Sequence, residues 1–215
     1  MHEDLPMQYR PISFERLADE LTERVTDLRE TTWARVAVDG AACATDTAGL
    51  ADALVDRLRV RGREVLRVSA RDFLRPASLR FERGRHDPDA RYDDWLDVGA
   101  LRREVLDPLA PDGTGLVLPA LWDTARDRAL RLPRTPLPRG GVLLLDGELL
   151  LGRGLPLELT VHLWLSAPAL ERRLPEHAHW ALPAYARYEH EVAPARSADV
   201  VVRTDRPDHP AVLVS

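Results

Sequence analysis

The 215-residue chain contains no lysine; all 30 of its basic residues are arginine. In such a composition, a position that elsewhere carries lysine is expected to carry arginine, and not an acid. Cysteine is nearly absent. Cys43 stands alone, which excludes an internal disulfide, and no Cys/His spacing suggests a zinc site. Long apolar runs are missing too: the most apolar segment, VLLLDGELLLG, is too short and too interrupted by acids to span a bilayer. Positive charge is not in excess, since the formal net charge is −5, and this argues against a general nucleic-acid face. A small polyanion held by a local arginine cluster remains compatible with it. The first ten residues, MHEDLPMQYR, hold acids and no apolar run, so no secretory signal is expected. Neither repeats nor low-complexity stretches interrupt the chain. A single cytoplasmic domain over residues 1–215 is the expectation, with no membrane or nucleic-acid partner.

The apolar residues that are present, 45% of the chain, fall into alternating helical and extended patterns. Phe14, Leu17, Ala18, Leu21, Val25 and Leu28 recur at helical spacing, predicting an amphipathic helix over 13–28. ARVAV at 34–38 predicts a buried strand ending in Asp39-Gly40. A helix follows from Thr47, with Leu50, Ala51, Leu54, Val55 and Leu58 on one stripe. EVLRV at 64–68 is a second strand, and this strand–helix–strand order implies a parallel sheet. Further strands are expected at 141–147, 159–165 and 198–203. GVLLLDG, apolar on both faces, belongs at the centre. Between them lie a polar, acid-rich stretch at 75–97, a helix at about 100–106 ended by Pro108, and short extended pieces suggesting a small hairpin. Two helices are expected in PALERRL and ALPAYARYEHEV. The fold class expected is a three-layer α/β/α domain with a parallel sheet of about five strands.

RVAVDG followed by a helix, DFLRP after the second strand, DPDARYDDW, LRREVLDPL, LLLDG and ADVVVRTDRPDHP together resemble the uridine kinase family of P-loop nucleoside kinases, in a divergent, actinobacterial-looking branch. The likeness spans roughly residues 35–210. It implies a P-loop kinase-like fold, ATP with Mg2+ as cofactors, and phosphorylation of the 5′-hydroxyl of a pyrimidine nucleoside. The family loop has the form G-x-x-x-x-G-K-[ST]; here Gly40 and Thr47 match it, while Thr45 replaces the second glycine and Asp46 the lysine. A side chain at a left-handed glycine position costs about 1–2 kcal/mol. At about 4 Å and an effective dielectric near 20 a unit charge is worth roughly 4 kcal/mol, so reversing it implies a swing of about 8 kcal/mol as an upper limit. Asp46 is expected to repel a triphosphate.

Alignment on the DFLRP segment places Arg71 where the family carries its base, with Asp72 in the neighbouring slot. Arginine cannot act as a base at neutral pH. The two departures have opposite sign, so Asp46 and Arg71 either meet as an internal ion pair in the vacated phosphate site or stand apart as solvated loop residues. If phosphate is transferred, the resemblance assigns Asp72 as base, Thr47 and Asp146 to magnesium, and Arg172 or Arg173 to the missing positive charge. Thr47 could equally cap its helix, Asp146 a turn, and Arg172 and Arg173 could be exposed helix residues. Asp87, Asp89, Tyr92, Asp93 and Trp95 match the nucleoside-contacting region, or else form an acidic loop anchored by its two aromatics. Trp122, Asp123 and Arg126 fall on the expected substrate hairpin. His86-Asp87 with His177 and His179 offers a weaker alternative, a metal-dependent phosphohydrolase. A catalytically reduced kinase-like protein and a non-catalytic module binding a nucleoside, another ligand, a protein partner or a second copy are the two functional expectations.

Overall fold

The computed structural model describes residues 8–28 and 32–214. Its centre is a seven-stranded sheet: β1 (Gln8–Pro11), β2 (Ala34–Gly40), β3 (Val65–Ser69), β4 (Val142–Gly147), β5 (Leu159–Trp164), β6 (Val200–Arg203) and β7 (Ala211–Val214). The spatial order is β1-β7-β6-β5-β2-β4-β3. The five strands expected from the sequence are its parallel part, with β2 paired to β4 and β5, β4 to β3, and β5 to β6. The remaining two extend it antiparallel, β7 on β6 and β1 on β7. The sheet is therefore wider than expected and mixed. Both extra strands are four residues long and one ends at Pro11, a residue that edge strands tolerate.

Every residue of β2 and β4 is buried. One face packs on the helices α1 (Phe14–Thr26) and α2 (Thr47–Val60), whose apolar stripes put Leu17, Leu21, Leu50 and Leu54 against Val36, Val38 and Leu144. The other face puts Ala37, Leu143 and Leu145 against Phe73, Leu101, Leu106 and Val117. A third apolar cluster lies around the loop after β2. It joins Ala44, Leu149 and Leu151 to Leu174 and to Tyr185 and Tyr188, the last three carried by α3 (Ala167–Arg173), its C-cap and α4 (Leu182–Glu191).

Pro108 does not simply stop its helix. Regular turns at Val98–Leu101 widen into a π-helical turn at Arg102–Leu106, and a 3-10 turn follows at Asp107–Leu109. Proline has no amide for the Glu104 carbonyl, which accepts the Leu118 amide at 3.0 Å instead. The expected hairpin forms in two tiers: Trp122–Asp123 pairs with Arg128–Ala129, and Leu116–Val117 with Thr135–Pro136. No helix among the described residues is long and apolar enough to cross a membrane.

Candidate functional site

The loop after β2 and the C-terminal ends of β3 and β4 surround a cavity of about 610 Å³ lined by Cys43, Asp46, Thr47, Arg67, Arg71 and Asp146, among others. Its floor is the loop after Gly40. In this loop the Ala44 and Thr45 amides both donate to the Ala41 carbonyl at 2.7 Å, and the Thr45 hydroxyl adds a third bond at 3.1 Å. A loop of this kind binds anions by presenting free amides to them. Here two are consumed internally. Asp46, and not Thr47, is the N-cap of α2, its carboxylate accepting the Gly49 amide at 2.8 Å. A Cβ on residue 49 would lie 2.2 Å from Asp46 Oδ2, so glycine makes room for the carboxylate. The helix N-terminus, which favours negative charge, therefore already holds an anion supplied by the chain.

That arrangement corrects the expected Asp46–Arg71 pair. Both residues line the cavity, yet no hydrogen bond or ion pair joins them among the described residues. The carboxylate turns to an amide three residues ahead, leaving the exposed Arg71 side chain beside Asp72. Asp72 is half-buried. Desolvation raises its carboxyl above the usual aspartate range, the Arg71 charge opposes this, and the Asp146 charge adds to it.

Asp146 is buried at the end of β4 and is not free to hold a metal's water shell. Its Oδ1 accepts from Arg67 Nε at 2.9 Å and its Oδ2 from the Ser69 hydroxyl at 3.2 Å. Arg67 also reaches Asp52 at 2.9 Å. With Asp46 on the helix terminus, two loop amides engaged and Asp146 ion-paired, the residues present do not fit magnesium-bound ATP in the family's manner.

The remaining expected contacts spread out. Asp87 is the N-cap of a short helix, Pro88–Asp93, accepting the Ala90 amide at 2.6 Å. Asp89 and Asp93 bind Arg187 at 3.3 and 2.9 Å, and the Arg187 guanidinium lies over the Tyr92 ring at 4.3 Å. Trp122 Nε1 donates to Asp127, while Asp123 accepts the amides of Ala125 and Arg126 and the Arg126 guanidinium within its own turn. Of the expected nucleoside contacts only Trp95 lines the cavity. Arg172 is exposed on α3 and Arg173 donates to the Thr204 carbonyl at 2.6 Å; neither lines the cavity. His86 packs on Trp180, His179 bonds the Leu174 carbonyl, and no cluster of three or more metal-ligating side chains forms among the described residues.

Positive charge reaches the cavity from elsewhere. Arg80, Arg91 and Arg153 join Arg67 and Arg71 in its lining, against Asp46, Asp146 and Glu148. Arg91, like Arg80, is largely enclosed. It bonds Glu148 at 2.5 Å and the Tyr185 hydroxyl at 3.0 Å, and sits 5.1 to 5.6 Å from the rings of Trp95, Trp180 and Tyr185. Its Nε is buried without a partner among the described residues. Arg153 binds the carbonyls of Leu149 and Tyr92. The motif DPDARYDDW holds Arg91, but only the fold of that irregular segment shows that the arginine, and not its acids, turns inward.

No family model matches the chain, and no curated protein matches it. Solved structures do. A possible uridine kinase from Bacillus stearothermophilus is 19% identical with a TM-score of 0.69, covering 86% of this chain and 96% of its own. A candidate fructose transport system kinase from a Silicibacter species is 20% identical, TM-score 0.61, covering 87% and 95%. The YGR205w protein is 10% identical, TM-score 0.60, covering 95% and 100%. At these identities the likeness establishes the fold.

Proposed function

From a P-loop kinase fold as premise, we propose that this chain does not transfer phosphate from ATP and instead keeps the cleft as a binding site for a pyrimidine nucleoside or its monophosphate. The observation that carries this reading is the Asp46 carboxylate seated on the Gly49 amide, beside a loop whose Ala44 and Thr45 amides serve Ala41. A triphosphate entering there would have to displace a covalently tethered anion and break two backbone bonds, without a lysine to offset its charge. The likeness to a possible uridine kinase supports the nucleoside half of the reading. The five arginines and Trp95 of the lining support the monophosphate, since guanidinium groups suit phosphate oxygens and an indole offers a stacking face.

Cys43 provides the test, because it is exposed on the loop and lines the cavity. Uridine or its monophosphate slows alkylation of Cys43 and gives a saturable calorimetric signal; magnesium-ATP does neither. Turnover of uridine with magnesium-ATP, or protection of Cys43 by magnesium-ATP, overturns the reading. One observation favours retained catalysis: desolvation moves Asp72 upward, in the direction a general base requires. On that second reading Asp72→Asn abolishes a turnover that the wild type possesses.

A further inference from the structure

A second cavity, of about 510 Å³, lies between the C-terminal end of β5, α3 and α4, on the other side of Leu149 from the first. Its walls are apolar, built from Leu149, Leu163, Leu165, Pro168, Leu170 and Leu182. Its volume falls in the usual range for small-molecule sites, about 300–1,000 Å³.

The polar side chains in this lining share one property: none has a donor to spare. The Tyr185 hydroxyl donates to Glu148, that of Tyr188 donates to Asp39 at 2.9 Å, and Trp164 Nε1 donates to Glu189 at 3.3 Å. What is left is acceptors. Glu171 and Glu189 are exposed at the rim, and no arginine is among the lining residues.

The third acceptor is deeper. His162 is more than nine-tenths buried, with 8% of its side chain exposed, and its Nδ1 is 2.7 Å from Asp39 Oδ2. Asp39 is wholly buried and also accepts the Leu150 amide at 2.9 Å and the Tyr188 hydroxyl. A carboxylate only accepts, so Nδ1 carries a proton, and in the neutral imidazole it is then Nε2 that presents a lone pair. Nε2 has no hydrogen-bond partner among the described residues and belongs to a side chain that lines the cavity. The pair fixes the ring in place, and Nε2 is an open acceptor in the lining rather than one sealed from solvent.

We infer that this cavity binds a small organic cation, an ammonium group carried on an apolar or aromatic body, with His162 Nε2 as the deeper acceptor and Glu171 and Glu189 as the charged rim. The body fills the leucine-lined space and the ammonium donates to His162 Nε2 and to the carboxylates of Glu171 and Glu189. The rings of Trp164, Tyr185 and Tyr188 add surfaces of the kind cations favour. The inference stands on residues apart from the phosphate loop and holds whether or not the nucleotide reading does.

Three probes of one shape separate charge from shape: tryptamine, its neutral alcohol analogue tryptophol, and the anion indole-3-propionate. Calorimetric titration of the full chain gives saturable binding of tryptamine, binding of tryptophol about tenfold weaker, and none of the anion. The imidazole Nε2 nitrogen resonance of His162 shifts on addition of tryptamine. Glu171→Gln, at an exposed position that leaves the fold intact, weakens tryptamine about three- to fivefold. Ala186→Trp, which fills the cavity from α4, abolishes binding. Equal affinity for all three probes, no saturable binding of tryptamine, an unmoved His162 resonance, or undiminished binding in Ala186→Trp each overturns the inference.

Discussion

If Asp46 occupies the place of a bound anion, removing its carboxylate opens that place to an anion from solution. The perturbation is Asp46→Ala. It deletes the 2.8 Å bond to the Gly49 amide, an N-cap interaction worth about 1 kcal/mol, and the charge–dipole attraction at the start of a fourteen-residue helix, worth about 0.3 kcal/mol at an exposed site. The loss is about 1.3 kcal/mol, or roughly 3–5 °C in Tm for a chain of this size. Asp46→Asn keeps an acceptor for Gly49 and loses only the smaller part. Thermal unfolding is then followed in sulfate and in sodium chloride of equal ionic strength. In the alanine variant, sulfate at ten times its dissociation constant returns about 1.4 kcal/mol beyond chloride, whereas the wild type, its anion built in, shows no such difference. Equal sulfate responses in both proteins, or an alanine variant as stable as the wild type, would refute the reasoning.

Three further outcomes follow from described contacts. Arg91→Ala strips Glu148 of its enclosed partner and the Trp180 and Tyr185 rings of their cation; urea unfolding should show a loss of about 3–5 kcal/mol, and Arg91→Lys should recover little of it because ammonium lacks the planar fork. Tyr188→Phe leaves the buried Leu151 amide, now bonded to the Tyr188 hydroxyl at 2.9 Å, without an acceptor and should cost about 1–3 kcal/mol in the same assay. Burial pushes the Asp205 carboxyl upward, but the Ser166 amide and Arg203 outweigh it and hold the group below its ordinary 3.8. Its contribution is therefore present above 3.8 and lost as pH falls through the lower folded value, so Asp205→Asn should flatten the decline in urea midpoint between about pH 4 and pH 2.

The central strands were legible because each is an apolar run bounded by a turn: ARVAV and VLLLDG could be little else in a chain of alternating elements. The strands Gln8–Pro11 and Ala211–Val214 were not, since four residues carry no period that distinguishes them from loop. The oddity of Asp46 was visible at once, but its partner was sought on another strand. The nearer signal, an aspartate three residues before the Gly49 amide at a helix start, is an ordinary capping pattern. The Arg67–Asp146 pair was beyond sequence reasoning, because it depends on β3 and β4 being neighbours, with Ser69 opposite Asp146. Arg80, Arg91 and Arg153 were hidden for a similar reason: among 30 arginines, nothing local marks those that turn inward.

The way the loop after Gly40 winds on itself bears on what substitution could restore. A variant given lysine at position 46 would still keep a backbone closed around the Ala41 carbonyl, a side-chain-bearing threonine at 45 and an arginine at 71. No single codon undoes all of these, and the changes at 45 and 46 each lose a hydrogen bond before any catalytic benefit arrives. On the proposed reading the change acts as a ratchet, leaving selection to work on whatever the two cavities now hold.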